Sequence, residues 1–245
     1  MMGLFQDYSW LAAAGITLVA SFLQSLTGFG LSIVATPLLV NVYDPKEAVI
    51  VIQLLNFAIN TAFCFVLRKS ADWKFVLLLF LGALAGQPVG MLIFLAVPSS
   101  ILKLFISLLI LFFLLIVQLR RKPIQETRTR SLTVGFLSGL LNASLSLAGP
   151  PLILYLASTS RGKASVRASS IVYFTVINWT TVFGYLVSGQ DLTSAVTHTV
   201  SLLPAAAAGL VLGYLLFPYL SQKMFQKIIF VMMAVSSVYT LYSCL

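Results

Sequence analysis

The chain has 245 residues, 60% of them apolar and 9% charged, with a formal net charge of +9. So little polar sequence leaves no room for a soluble domain and predicts one membrane domain over residues 1–245. The positive charges lie between apolar tracts, where membrane topology and an anionic inner leaflet account for them, so nucleic acid is excluded as a partner. Cys64 and Cys244 lie within apolar tracts and form no disulfide framework, metal pair or Cys-x-x-Cys motif. No positively charged leader precedes the first tract, which argues against a cleaved signal peptide.

Eight apolar tracts follow in order: 9–40, 48–67, 75–97, 99–119, 131–160, 168–190, 192–217 and 228–245. A straight helix over the first would be about 48 Å long against a hydrocarbon core of about 30 Å, yet two crossings need about 40 residues. Its interior holds Gly28, Gly30 and Pro37, and the fifth tract holds Asn142, Gly149, Pro150 and Pro151. Such residues interrupt helices, and the freed backbone is tolerated only in protein or in a water-filled cavity. Both tracts are therefore expected to be broken or re-entrant hairpins.

The basic residues between tracts favour the same reading. If every tract crosses once, Lys and Arg divide eight to seven between the two faces. If the fifth tract returns to the face it left, Arg161, Lys163, Arg167, Lys223 and Lys227 join the first group, and only Lys46 and Lys103 remain outside. The division is then thirteen to two, as expected when basic loops stay cytoplasmic. Arg161 and Arg167 are read as ordinary topogenic loop charges.

The two halves also resemble each other. Ser21 to Leu39 aligns without gaps on Gly135 to Ile153, 114 positions on, and Ile59-Asn60 pairs with Ile177-Asn178. Gly86-x-x-x-Gly90 recurs as Gly209-x-x-x-Gly213 and is expected to pack helices closely. The expected fold is an all-α polytopic membrane protein of two repeats, 9–120 and 131–245, joined by the basic loop 120–130. A hairpin plus three crossings is an odd number of spans, so the repeats are expected to be inverted, as in many secondary transporters.

Leu26-Thr27-Gly28-Phe29-Gly30 with Pro37-Leu38-Leu39, and the later Gly149-Pro150-Pro151-Leu152-Ile153-Leu154-Tyr155-Leu156, resemble the two halves of the sulfite exporter TauE/SafE family. The resemblance spans essentially the whole chain. It departs from the family's glycine-rich pattern at Ser32-Ile33-Val34-Ala35-Thr36 and at Asn142-Ala143-Ser144. It implies transport, in the export direction, of small sulfur-containing anions such as sulfite, thiosulfate, sulfoacetate or other organosulfonates. The expected partners are that anion and the lipid bilayer, with a homodimer compatible; no cofactor or metal is expected.

Lys103, close to the start of the fourth tract, is the one Lys, Arg, Asp or Glu within the tracts, so an anion site at their middle must be built from dipoles. Half-helix N-termini offer unpaired N–H groups. Ser25, Thr27, Gly28, Phe29 and Gly30 are expected at one such end, and Asn142, Ser144, Ser146, Ala148 and Gly149 at the other. Gln24, Asn56, Asn60, Gln87 and Asn178 are the neutral polar candidates, each either a ligand or a hydrogen-bonded strut between helices. His198 is expected at an interface as a solvated or structural residue. Without an intramembrane acid, facilitated export down the anion gradient is the first expectation, with proton symport or sodium coupling as alternatives. An enzyme would need a nucleophile with a base, or paired carboxylates, at membrane depth, and the tracts hold none. Transport of another small anion or solute, and a non-transporting assembly subunit, are the competing functions.

Overall fold

The computed structural model describes residues 2–119, 126–156 and 162–221, together with 223, 224, 227, 228 and 231. Arg161, residues 120–125 and nearly all of the eighth tract lie outside them. Among the described residues the chain is all helical: α1 (Met2–Thr27), α2 (Gly30–Leu39), α3 (Pro45–Leu67), α4 (Trp73–Ala96), α5 (Ser99–Leu119), α6 (Arg128–Leu145), α7 (Gly149–Leu156), α8 (Lys163–Val187) and α9 (Thr193–Leu216). Five of these, α1 from Ser9 together with α3, α4, α8 and α9, are long and apolar enough to cross a membrane.

Local chemistry sets the helix starts. Asp44 accepts a hydrogen bond from the Lys46 amide with Pro45 at the first helical position, Asp72 accepts from the Phe75 amide, and Thr127 accepts from the Arg130 amide. Each satisfies an N–H that the first helical turn leaves unpaired.

The two expected breaks are present. Gly28 separates α1 from α2 at φ +90°, and Ser146 closes α6 at φ +55°, with its amide on the Asn142 carbonyl. The α6–α7 segment folds back on itself, because the Ser131 hydroxyl near the start of α6 lies 3.0 Å from the Tyr155 hydroxyl near the end of α7. The Asp72 amide donates to Ser169 Oγ at 2.9 Å, which puts the start of α8 at that same end, beside the α3–α4 connection. At the opposite end the Asp44 carboxylate accepts from Ser99 Oγ, the Lys46 ammonium donates to the Leu95 carbonyl, and the Tyr43 ring lies tilted against that of His198. His198 is partly exposed there, 3.5 Å from Glu47, at the interfacial position expected for it. Burial, and then the Glu47 charge, raises the Tyr43 phenol above its ordinary range.

Glycines set the closest helix pairs. A methyl group added at Gly82, Gly86 or Gly90 of α4 would lie 2.1 Å from the carbonyl oxygens of Leu132, Phe136 and Leu140 in α6. One added at Gly209 or Gly213 of α9 would meet the Leu18 and Phe22 carbonyls of α1 at 2.2 and 2.5 Å. These backbones touch as small-residue membrane interfaces do. In each pair the contacts advance in the same direction along both helices.

The contacts also revise the register of the two halves. Gly86 meets Phe136 where Gly209 meets Leu18, and Gly90 meets Leu140 where Gly213 meets Phe22, so the two glycine contacts match at a shift of 118 positions between α1 and α6, against 114 in the sequence alignment. That shift also brings Gly28 onto Ser146, the two left-handed residues. The four-residue difference is about one helical turn, which keeps apolar residues on the same face and lets sequence similarity settle in either register.

Candidate functional site

Halfway through the helices the two breaks meet. A methyl group on Gly149 would lie 3.5 Å from the Phe29 carbonyl oxygen and 3.1 Å from Ile33, so the starts of α2 and α7 are neighbours. Between them lies a cavity of about 210 Å³ including its opening, and the free space at its centre is about that of one water molecule. Gln24, Phe29, Asn56, Asn142, Ala148, Gly149 and Asn178 of the expected residues line it. Ser32 and Phe174 line it as well and were not anticipated.

Asn178 has the most informative geometry. Its Oδ1 accepts from Gln53 Nε2 at 2.9 Å and from Asn142 Nδ2 at 3.3 Å. Both bonds use the carbonyl, so the Asn178 Nδ2 protons have no partner among the described residues, on a side chain that lines the cavity. Gln53 is itself held by the Ser146 hydroxyl at 2.5 Å, and the second Asn142 bond goes to Thr181. Gln87 donates to Thr181 and to the Ile177 carbonyl, and so braces α8 rather than lining the cavity.

The first half has a matching but differently oriented network. Gln24 donates to Asn60 Oδ1 at 2.7 Å and accepts from the Leu31 amide at 3.0 Å, so it ties the start of α2 to α3. Asn60 donates to Asn56, which donates to Ser32 Oγ at 2.8 Å. Asn60 therefore stands behind the lining residues, whereas its counterpart Asn178 is among them. The side chains of Gln53, Asn56 and Asn60 lie at helical spacing on one face of α3, a periodic signal from which Gln53 was legible.

The remaining expected residues have backbone or packing roles. Thr27 and Ser144 hydroxyls bond back to the Leu23 and Leu140 carbonyls of their own helices. A methyl group on Gly30 would strike the Leu23 and Gln24 backbone at 2.6 and 2.7 Å, and one on Gly28 would lie 2.9 Å from the Arg167 carbonyl. Pro150 and Pro151 carry no N–H, so the first turn of α7 presents fewer amide donors than that of α2. Ser25 points away from the cavity, toward Arg167.

Arg167 departs from its reading as a loop charge. It lies in the second turn of α8 and is only 3% exposed. Its guanidinium carbon is 3.9 Å from the Phe217 ring centre, 5.0 Å from that of Phe63 and 5.7 Å from that of Tyr214, and its Nη2 donates to Ser25 at 3.5 Å. A buried cation without an acid costs several kcal/mol, and contact with aromatic faces offsets about 2 kcal/mol of that. Position in the sequence marks a boundary between tracts, but it carries no signal of this ring cage, which is assembled from α3, α9 and the turn after α9.

No curated protein and no solved structure matches the chain. The sulfite exporter TauE/SafE family does match, over residues 13–240, which takes in both breaks, both glycine-lined helix pairs and the cavity between them. The chain therefore belongs to the sulfite exporter TauE/SafE family, whose members are multi-pass membrane transporters rather than enzymes.

Proposed function

We propose that the protein exports small sulfur-containing anions, among them sulfite, thiosulfate, sulfoacetate or other organosulfonates, through the cavity between the two breaks. The observation that carries this reading is the Asn178 amide, whose oxygen is fully engaged and whose N–H donors are left for the cavity. Among the described residues the lining contains no carboxylate to repel an oxyanion. The positive ends of the α2 and α7 dipoles add to the attraction, each by about 0.3–1 kcal/mol. Because the two prolines thin out the α7 amides, side-chain donors from Asn178 and Ser32 take a larger share of the binding.

The free space is smaller than any of these anions, so the substrate enters when the two hairpins part. We further read the halves as inverted repeats, which would let the hairpins open toward opposite faces in turn. Among the described residues no titratable side chain lines the cavity, and on this reading the driving force is the anion gradient and the inside-negative potential, about 2.3 kcal/mol per charge per 100 mV.

Flux of sulfite, thiosulfate, sulfoacetate, taurine and sulfate into proteoliposomes tests this. A hydrogen bond to a charged group contributes about 1.5–3 kcal/mol, so Asn178→Ala is expected to weaken sulfur-anion binding about tenfold to a hundredfold. Asn178→Asp should abolish it by placing a negative charge in the lining. Absence of flux for all five solutes would overturn the reading.

A further inference from the structure

The Arg167 cage presents its cation in an unusual way. The guanidinium carbon lies over the rings of Phe217, Phe63 and Tyr214, and ring faces cannot accept all five of the N–H donors that the group carries in its plane. Among the described residues Nη2 has one hydrogen-bond partner, the Ser25 hydroxyl at 3.5 Å, and the buried Nε has none. One turn further along α8, the Ser170 hydroxyl, on a residue 1% exposed, is also without a partner among the described residues, with its Cβ against Gly28. A buried guanidinium with an unpartnered N–H, one helical turn from an unpartnered buried hydroxyl, is suited to the oxygens of an oxyanion.

The location is equally specific. Ser25 adjoins Gln24 and Gly28 adjoins Phe29, and both Gln24 and Phe29 line the central cavity. Along α8, Arg167 is seven residues from Phe174 of the cavity wall, about 10 Å. It lies on the side of Lys163, Asp72 and Ser169, toward the end of the molecule that carries Arg68, Lys69 and Lys74. The other half has no counterpart, since the residue 118 positions earlier is Val49, which is buried and apolar.

We propose that Arg167, Ser25 and Ser170 form a second anion site, present in one half only, that receives the oxyanion between the basic end of the molecule and the central cavity. It rests on the anion-transport reading above and adds sidedness to it. An anion supplied at the Lys163 end meets a cation before it meets the uncharged central cavity. One supplied at the other end reaches the central cavity first.

The test combines calorimetric binding to the purified full-length protein with flux measured from each side of oriented proteoliposomes. Sulfite is the main probe, with thiosulfate, sulfate, phosphate and nitrate alongside. Arg167→Gln is expected to raise the KM for sulfite at least tenfold when it is supplied at the Lys163 end and to leave the KM from the other end within twofold. Arg167→Lys should recover part of the loss, since a lysine keeps the charge without the planar fork. Should Arg167→Gln fail to fold, Ser170→Ala decides. It removes a hydroxyl with no partner, so stability should hold while sulfite affinity falls several-fold.

Unchanged binding in both Arg167→Gln and Ser170→Ala, or equal changes from both sides, would overturn the second site, even with sulfite flux intact. Failure of the wild type to bind or carry any sulfur anion, together with Arg167-dependent binding of phosphate or nitrate, would instead overturn the sulfur-anion reading and leave the site standing. Absence of any anion binding would overturn both.

Discussion

Gly28 is the residue on which the first break turns. Its φ of +90° lies where a side chain costs about 1–2 kcal/mol, and an added methyl would also press on the Arg167 carbonyl at 2.9 Å. Gly28→Ala is thus expected to lower the thermal stability of the purified protein through both effects. A melting temperature equal to that of the wild type would mean that the break has another origin. Ser146 shows how a residue with a side chain occupies the matching place, with its hydroxyl bonded to Gln53. The two breaks were legible because glycine and proline mark interruptions of helix by covalent structure alone. Ser32 and Phe174 were not, because what makes them lining residues is the approach of α2 and α8 across the chain. Arg167 was misread for a related reason: burial among rings from three separate segments is a tertiary property.

Among elements, the tightest constraint is backbone contact between α4 and α6 and between α1 and α9. An alanine methyl at Gly86 would lie 2.1 Å from the Phe136 carbonyl and one at Gly209 would lie 2.2 Å from that of Leu18, so either substitution must push two helices apart. Overpacking of this kind costs about 1–3 kcal/mol. Gly15 in α1 has nothing within 4 Å of an added methyl, and there alanine should be neutral or stabilising by up to about 1 kcal/mol through helix propensity. Thermal unfolding of Gly86→Ala, Gly209→Ala and Gly15→Ala tests the contrast, and equal melting temperatures for all three would contradict the packing described. The same geometry shows which glycine probes the cavity cleanly. At Gly149 a methyl is tight only on the Ile33 side chain, at 3.1 Å, with the Phe29 carbonyl at an ordinary 3.5 Å, whereas at Gly30 it strikes backbone at 2.6 Å. The repeated Gly-x-x-x-Gly pairs made these interfaces readable in advance, but their one-turn register needed the facing helix.

For the molecule as a whole, the fold sorts the described basic residues by end. Arg68, Lys69, Lys74, Arg128, Arg130 and Lys163 belong to the end where the α3–α4 connection meets the starts of α6 and α8, while Lys46 and Lys103 belong to the other. Basic connections are retained on the cytoplasmic side, so the first end is expected inside the cell. With Cys64 and Cys244 replaced by serine, single cysteines at Lys74 and Gly162 should react with a membrane-impermeant maleimide only after the cytoplasmic face is opened. Cysteines at Pro98 and Gln190 should react in intact cells. Gly162 is the decisive position, since a fifth tract that crossed the bilayer would place it opposite Lys74, and the thirteen-to-two charge division would revert to eight and seven. Labelling of Gly162→Cys in intact cells would therefore remove the re-entrant hairpin. It would also take away the opposed arrangement of breaks on which passage of an anion through the central cavity depends.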